Sequence, residues 1–185
     1  MPARSSVAVP LTVITGLDAA SKARVAQTLL ARHGEGWALL DNDGGAAAAL
    51  AGAHPAALSS GCACCSGQVM LHAALVQLLR RHQPRQLLLV AAAAAEPQAL
   101  RRALVQGEAM RAWSVERMMC VRDDAVAAAA PEQARALWQS QCAAADTVIG
   151  CGADISAATL EAQLDAAMAS GPVSPSKASS RRIAS

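Results

Sequence analysis

At 185 residues the chain suits one domain with a short tail. It has no Phe, no Tyr and only three Trp, so Ala, Leu and Val must fill a thin core of modest stability. Net charge is +2. Without Lys177, Arg181 and Arg182 near the end, 13 basic residues face 14 acidic ones, which excludes the basic face of a nucleic-acid-binding domain.

Taken in order, Val7–Ile14 clusters β-branched residues and reads as a first strand, broken by Thr15-Gly16. Ser21–His33 has helical spacing, with Val25, Leu29 and Leu30 inward and Lys22, Arg24 and Arg32 outward. Trp37–Leu40 is a second short strand, ended by Asp41-Asn42-Asp43-Gly44-Gly45. Gly67–His82 is a strong helix with Met70, Leu71, Leu75, Leu78 and Leu79 on one side. Gln86–Val90 is apolar almost throughout, as expected of a strand covered on both faces. A helix follows Pro97, Val115–Val121 is a fourth strand, and Pro opens a further helix over Pro131–Cys142. Thr147–Ile149 is a fifth strand, and Ser156 caps a last helix, Ala157–Met168. This alternation predicts an α/β fold, a parallel sheet wrapped by helices, over residues 1–168. Residues 169–185 are polar, basic and Ser/Pro-rich and read as a disordered tail.

No segment is long enough to span a membrane; Leu87–Ala95 is apolar but short. Val7–Ile14 imitates a signal peptide after Arg4, but Asp18 follows at once and a strand fits better. The expected location is therefore the reducing cytoplasm, where clustered cysteines favour metal over disulfide.

Gly61-Cys62-Ala63-Cys64-Cys65 holds half of the six cysteines. Three thiolates on one tight loop suit a soft ion, Zn(II) or Cu(I), and Gly61 lets the chain turn before the first. His72 or His54, water, or a partner side chain are candidates for a fourth ligand. Buried core thiols and redox chemistry are the alternatives; a bridge between the adjacent Cys64 and Cys65 would be strained. Among the other cysteines, Cys120 reads as core, Cys142 ends a helix, and Cys151 reads as an exposed thiol. Trp113 and Trp138 read as packing residues.

The first strand-to-helix junction, Thr15-Gly16-Leu17-Asp18-Ala19-Ala20-Ser21-Lys22-Ala23, stands where a phosphate loop G-x-x-x-x-G-K-[ST] would lie. Gly16 and Lys22 are in place. Ser21 replaces the second glycine, Ala23 removes the Mg²⁺-binding hydroxyl, and Asp18 adds negative charge where phosphates would sit. On the residues alone Gly16 is a turn and Lys22 a solvated residue of the first helical turn; a weak anion site at the helix N-terminus is the alternative.

The order of these features resembles the CobW-like metallochaperone GTPases, of the CobW/HypB/UreG type, from about Val7 to Met168. The most specific match is Gly61-Cys62-Ala63-Cys64-Cys65 to the family's G-C-x-C-C. Pro10-Leu-Thr-Val-Ile-Thr-Gly16, Ala95-Glu96-Pro97 and Ala145-Asp146-Thr147-Val148 support it. The resemblance implies a three-layer P-loop NTPase-like fold with a mostly parallel sheet, GTP with Mg(II), and a metal held by Cys62, Cys64 and Cys65. It also implies a nucleotide site around Gly16, Ser21, Lys22 and Asp154, and a client metalloprotein as partner. The family's N-E-x-G aligns with Asp41-Asn42-Asp43-Gly44, its E-[ST]-[ST]-G with Val90-Ala91-Ala92-Ala93, and its N-K-x-D with Cys151-Gly152-Ala153-Asp154. The chain thus resembles a degenerate relative without the C-terminal domain: a zinc-binding, GTPase-like accessory protein with weak or no GTP hydrolysis. A divergent active hydrolase using Lys22, Asp41 or Asp43, and a remnant with no ligand, are the alternatives.

Overall fold

The computed structural model describes residues 8–44, 54–57, 67–106 and 112–170. The cysteine loop, Cys62, Cys64 and Cys65, lies outside the described residues, as does the tail from 171 onward.

Among the described residues six strands form one sheet: β1 (Val9–Thr15), β2 (Trp37–Asp41), β3 (His54–Ala57), β4 (Gln86–Val90), β5 (Trp113–Arg122) and β6 (Thr147–Gly150), in the order β3-β2-β4-β1-β5-β6. Every pairing is parallel. The described helices are α1 (Ala19–His33), α2 (Gln68–His82), α3 (Pro97–Val105), α4 (Asp124–Ala129), α5 (Glu132–Ala144) and, after the last strand, α6 (Ala157–Ala169). The expected α/β architecture holds, with one strand and one helix beyond the sequence reading. Among the described residues edge strand β3 pairs only with β2, and Pro55, which has no N–H for a second ladder, fits such an edge. Helix α4 starts at the N-cap Asp123, whose carboxylate accepts from the Val126 N–H at 3.2 Å.

Side-chain alternation along the central strands splits the core in two. Ile14, Leu88, Val90, Met119 and Val121 face α1 and α6, packing on Val25, Leu29, Leu160 and Leu164. Leu11, Val13, Leu87, Leu89 and Met118 face the opposite way, onto Leu71, Leu75 and Leu78 of α2 and Leu100 and Leu104 of α3. Trp113 is buried and donates its indole N–H to the Leu104 carbonyl at 3.0 Å. Trp138 on α5 donates to the Val121 carbonyl at 3.1 Å, so both residues are packing residues with their polar edge satisfied.

All strands run the same way, so the ends of β1, β2, β4, β5 and β6 converge on one rim. There Gly16, Asp41, Ala91, Asp123 and Cys151 meet the start of α1. In open α/β sheets this carboxyl rim is where ligands bind.

Candidate functional site: a phosphate loop facing its own carboxylates

The turn after β1 is built around Gly16, whose φ is +152°. A Cβ there would meet the Val121 Cβ at 3.1 Å and its carbonyl at 3.2 Å, so both conformation and space call for glycine. Asp18 then caps α1: its carboxylate accepts from the Ser21 N–H at 2.7 Å. That N–H belongs to the loop's would-be phosphate donors, and a side-chain anion already takes it.

Lys22 differs from the sequence reading. It is not solvated; its exposure is 0 %. Helical side chains lean toward the N-terminus, and this tilt carries the Lys22 head back under the loop. Its Nζ donates to the Ala91 carbonyl at 2.8 Å and forms an ion pair with Asp43 at 2.9 Å. Burial pushes the Lys22 pKa below its ordinary value, against the opposing pull of Asp43 and, more weakly, of Asp41 and Asp18.

Asp43 is held in turn. Its second oxygen accepts from the Ala93 N–H at 3.0 Å, which ties the turn after β2 to the loop after β4. Asp41 accepts from the N–H groups of Asp43 and Gly44 at 2.9 and 3.0 Å, closing the turn that presents Asp43. Gln141 of α5 holds the β4 loop from the far side, donating to the carbonyls of Ala93 and Ala95 at 3.1 and 2.9 Å. The Ser21 hydroxyl donates to Asp123 at 3.2 Å. Two carboxylates therefore occupy two groups that would hold phosphates, Asp18 on the backbone N–H and Asp43 on the lysine, and Asp123 takes the hydroxyl that stands in place of the second glycine. Ala23, nearly buried, brings no oxygen for Mg²⁺. The residues present do not fit a triphosphate with its metal.

Beside this cluster a cleft of about 320 Å³ is lined by Arg122, Asp123, Gly150, Cys151, Gly152 and Asp154, among others. Asp154 is exposed at its mouth, in the same region as the loop. Cys151 departs from expectation: it is buried, with its thiol 3.6 Å from the Ser21 carbonyl, and burial raises its pKa. Cys120 is core, as expected.

No group of three or more His, Cys, Asp or Glu that could hold a metal occurs among the described residues. The expected ligands Cys62, Cys64 and Cys65 lie outside the described residues; three thiolates are a donor set suited to zinc. His72 is committed elsewhere through Nε2, which lies 2.6 Å from the Ala103 carbonyl, while its ring meets Trp113 edge-on at 5.6 Å. The backbone of His54 is in β3.

Several of these groups were hidden in the sequence. Asp123 carries no local signal for Ser21, which lies 102 positions away. The Asp18 cap was readable as an Asp three residues before the Ser whose N–H it accepts.

The sheet order, the β1–α1 turn and the lysine beneath it define a P-loop NTPase-like α/β protein. Residues 10–172 match the model of the CobW/HypB/UreG nucleotide-binding domain, and the chain belongs to that family. No curated protein matches. Among solved structures, the chain is similar to the crystal structure of the Zn(II)-bound YjiA GTPase from E. coli, with a TM-score of 0.55 and 17 % identity. The match covers 77 % of this chain and 49 % of that one, so this chain spans about half that protein's length. None of the described helices is long and apolar enough to cross a membrane.

Proposed function

We propose that this chain is a cytoplasmic metal-handling accessory protein. It keeps the family fold and a zinc-binding thiolate triad at Cys62, Cys64 and Cys65, and it binds GTP weakly with little or no hydrolysis. The observation that carries the second half is the buried Lys22–Asp43 ion pair beneath the loop. A phosphate reaching Lys22 would have to displace Asp43 and approach Asp18 and Asp123, so repulsion and desolvation both oppose it. Phosphoryl transfer depends on positioning and charge neutralisation, and this loop offers an occupied lysine and no metal hydroxyl. What supports the metal half is the donor set: three thiolates on one loop bind zinc, with a client metalloprotein as its destination.

Two measurements test this. Elemental mass spectrometry of the reduced protein is expected to find about one zinc per chain, lost in the triple Cys→Ser variant at 62, 64 and 65. No metal in the parent after zinc addition would remove the first half. Calorimetric titration with Mg·GTP is expected to show binding no tighter than the millimolar range in the parent, tightening in Asp43→Asn. Micromolar binding with turnover in the parent would overturn the second half and leave the divergent hydrolase as the reading.

A further inference from the structure

Two cysteines that play no part in the site above lie sulfur to sulfur. Cys120 in β5 and Cys142 in the last turn of α5 are 22 residues apart, and their Sγ atoms are separated by 2.9 Å. Non-bonded heavy atoms usually settle at about 3.5–4 Å, so the two thiols are pressed together closer than ordinary packing brings them. The helix is docked to make this so. Trp138, one turn before Cys142 on the same face, is anchored to the Val121 carbonyl, and the neighbouring Gln141 is anchored to Ala93 and Ala95. The first holds α5 over the end of β5, and the second ties it to the loop after β4. The two thiols differ in access: Cys120 is fully buried and Cys142 is half-buried.

We infer that Cys120 and Cys142 form a thiol modification site, in which a hydroperoxide oxidises Cys142 and Cys120 resolves the product as an intramolecular disulfide. A two-thiol metal site is disfavoured, because no third His, Cys, Asp or Glu joins the pair among the described residues. The chemistry balances. The Cys142 thiolate attacks the peroxide, an S–O bond forms, the O–O bond breaks, and the released hydroxide (alkoxide, for an organic hydroperoxide) takes a proton to leave as water (or the alcohol). Cys120 then attacks the Cys142 sulfenic acid, the S–O bond breaks, the S–S bond forms, and the second oxygen leaves as water with the Cys120 proton. Two thiols lose two electrons to one peroxide. Burial and the neighbouring sulfur hold the Cys120 thiol well above its ordinary pKa, which makes it a poor first nucleophile; contact with Cys142 supplies the proximity its second-step attack needs.

Closing the bond would fasten α5 to β5 next to Val121, the residue that packs against Gly16. It would also fix Gln141, and with it the 91–95 loop whose Ala91 carbonyl holds Lys22.

The full-length reduced protein, treated with a few equivalents of hydrogen peroxide, alkylated and digested with trypsin and Asp-N, tests the proposal. These enzymes place Cys120 in 118–122, Cys142 in 136–145 and Cys151 in 146–153, so the three are resolved. The expected result is a 118–122/136–145 cross-link in most of the oxidised protein, about 2 Da lighter than the two peptides together and reversed by dithiothreitol. In Cys120→Ala, dimedone is expected to trap Cys142 several-fold more than in the parent. Accumulation of sulfenic or sulfinic Cys142 in the parent without the cross-link would overturn the proposal. So would linkage of Cys120 to another cysteine, or resistance of Cys142 to peroxide that oxidises the urea-unfolded chain. The parent cross-link decides the matter even if Cys120→Ala fails to fold.

Discussion

Helix α1 carries a cation against carboxylates at each end, and the two ends behave differently. At its N-terminus Lys22 is fully buried on Asp43 and Ala91. At its C-terminus Arg32 lies in the open, donating to Asp165 and to Glu161 of α6, while His33 Nε2 approaches Asp165 at 3.1 Å. Both join α1 to a distant part of the chain. The buried pair has lost its water, so neither partner tolerates removal of the other; water can replace either partner of the exposed cluster. The buried end also stands at the carboxyl rim of the sheet, so the same contact that joins the fold there engages the lysine of the β1–α1 turn.

The largest effect is expected at the buried end. Lys22→Met leaves the Asp43 carboxylate without its cation and is predicted to cost about 3–5 kcal/mol in urea unfolding. Asp43→Asn keeps the oxygen that accepts from Ala93 but strands the ammonium, with a similar loss. The double variant Lys22→Met/Asp43→Asn is predicted to recover to within about 1 kcal/mol of the parent, because two charges need no longer be desolvated. Additive losses in the double variant would show that the two residues are not energetically coupled. The pH dependence has a definite sign. The native pKa of Lys22 is lowered by burial, so the unfolded chain holds this proton up to a higher pH than the folded one. The cost of charging Lys22 in the fold is fully present below its native pKa and is relieved as pH rises toward 10.5. The stability of the parent relative to Lys22→Met is therefore expected to increase over that window.

Gly16→Ala sharpens the comparison one step closer to the rim. A φ of +152° and contacts near 3.1 Å to Val121 predict a loss of about 1–3 kcal/mol. Differential scanning calorimetry would report it, and an unchanged Tm would mean that the turn is not held by the packing described. Asp18→Ala removes the α1 cap and is predicted to cost about 1 kcal/mol. It also vacates the Ser21 N–H, so inorganic phosphate is expected to protect this variant from thermal unfolding more than it protects the parent.

The sequence carried the layers well and the rim poorly, for physical reasons. Strand and helix periodicity is local, so β1, β4, β5, α1 and α2 were legible from their apolar residues, although Met70, expected on the inner side of α2, is exposed. Strand β3 was not, because Pro and Ala carry no strand signal and its neighbour β2 specifies it from across the sheet. Helix α4 hid inside an alanine run that reads as composition rather than structure. The position of Lys22 in a phosphate-loop pattern was visible, but its burial was not: its partners lie in the loops after β2 and β4, and only the sheet order brings them together. Cys151 was misread likewise, since nothing local to it reveals the α1 backbone above its thiol. The pairing of Cys120 with Cys142 depends on how α5 docks, which no spacing rule encodes.

The smallest effect is expected at the exposed end, and it tests whether burial or mere proximity sets the contrast. Arg32 holds the Asp165 carboxyl below the usual carboxylate range, with His33 adding to it. A carboxylate with a depressed native pKa contributes stability that is present above its unfolded pKa and lost as pH falls through the native value. Asp165→Asn should remove only that contribution: a shift smaller than that of Asp18→Ala near neutral pH, vanishing in acid. It should shrink further in high salt, because exposed charges are screened over about 3 Å at 1 M ionic strength. The Lys22→Met loss should persist in the same salt, since ions cannot enter between Lys22 and Asp43. If salt erased both effects alike, the ion pair beneath the loop would be as wet as the one on the surface, and a phosphate could compete for Lys22 after all.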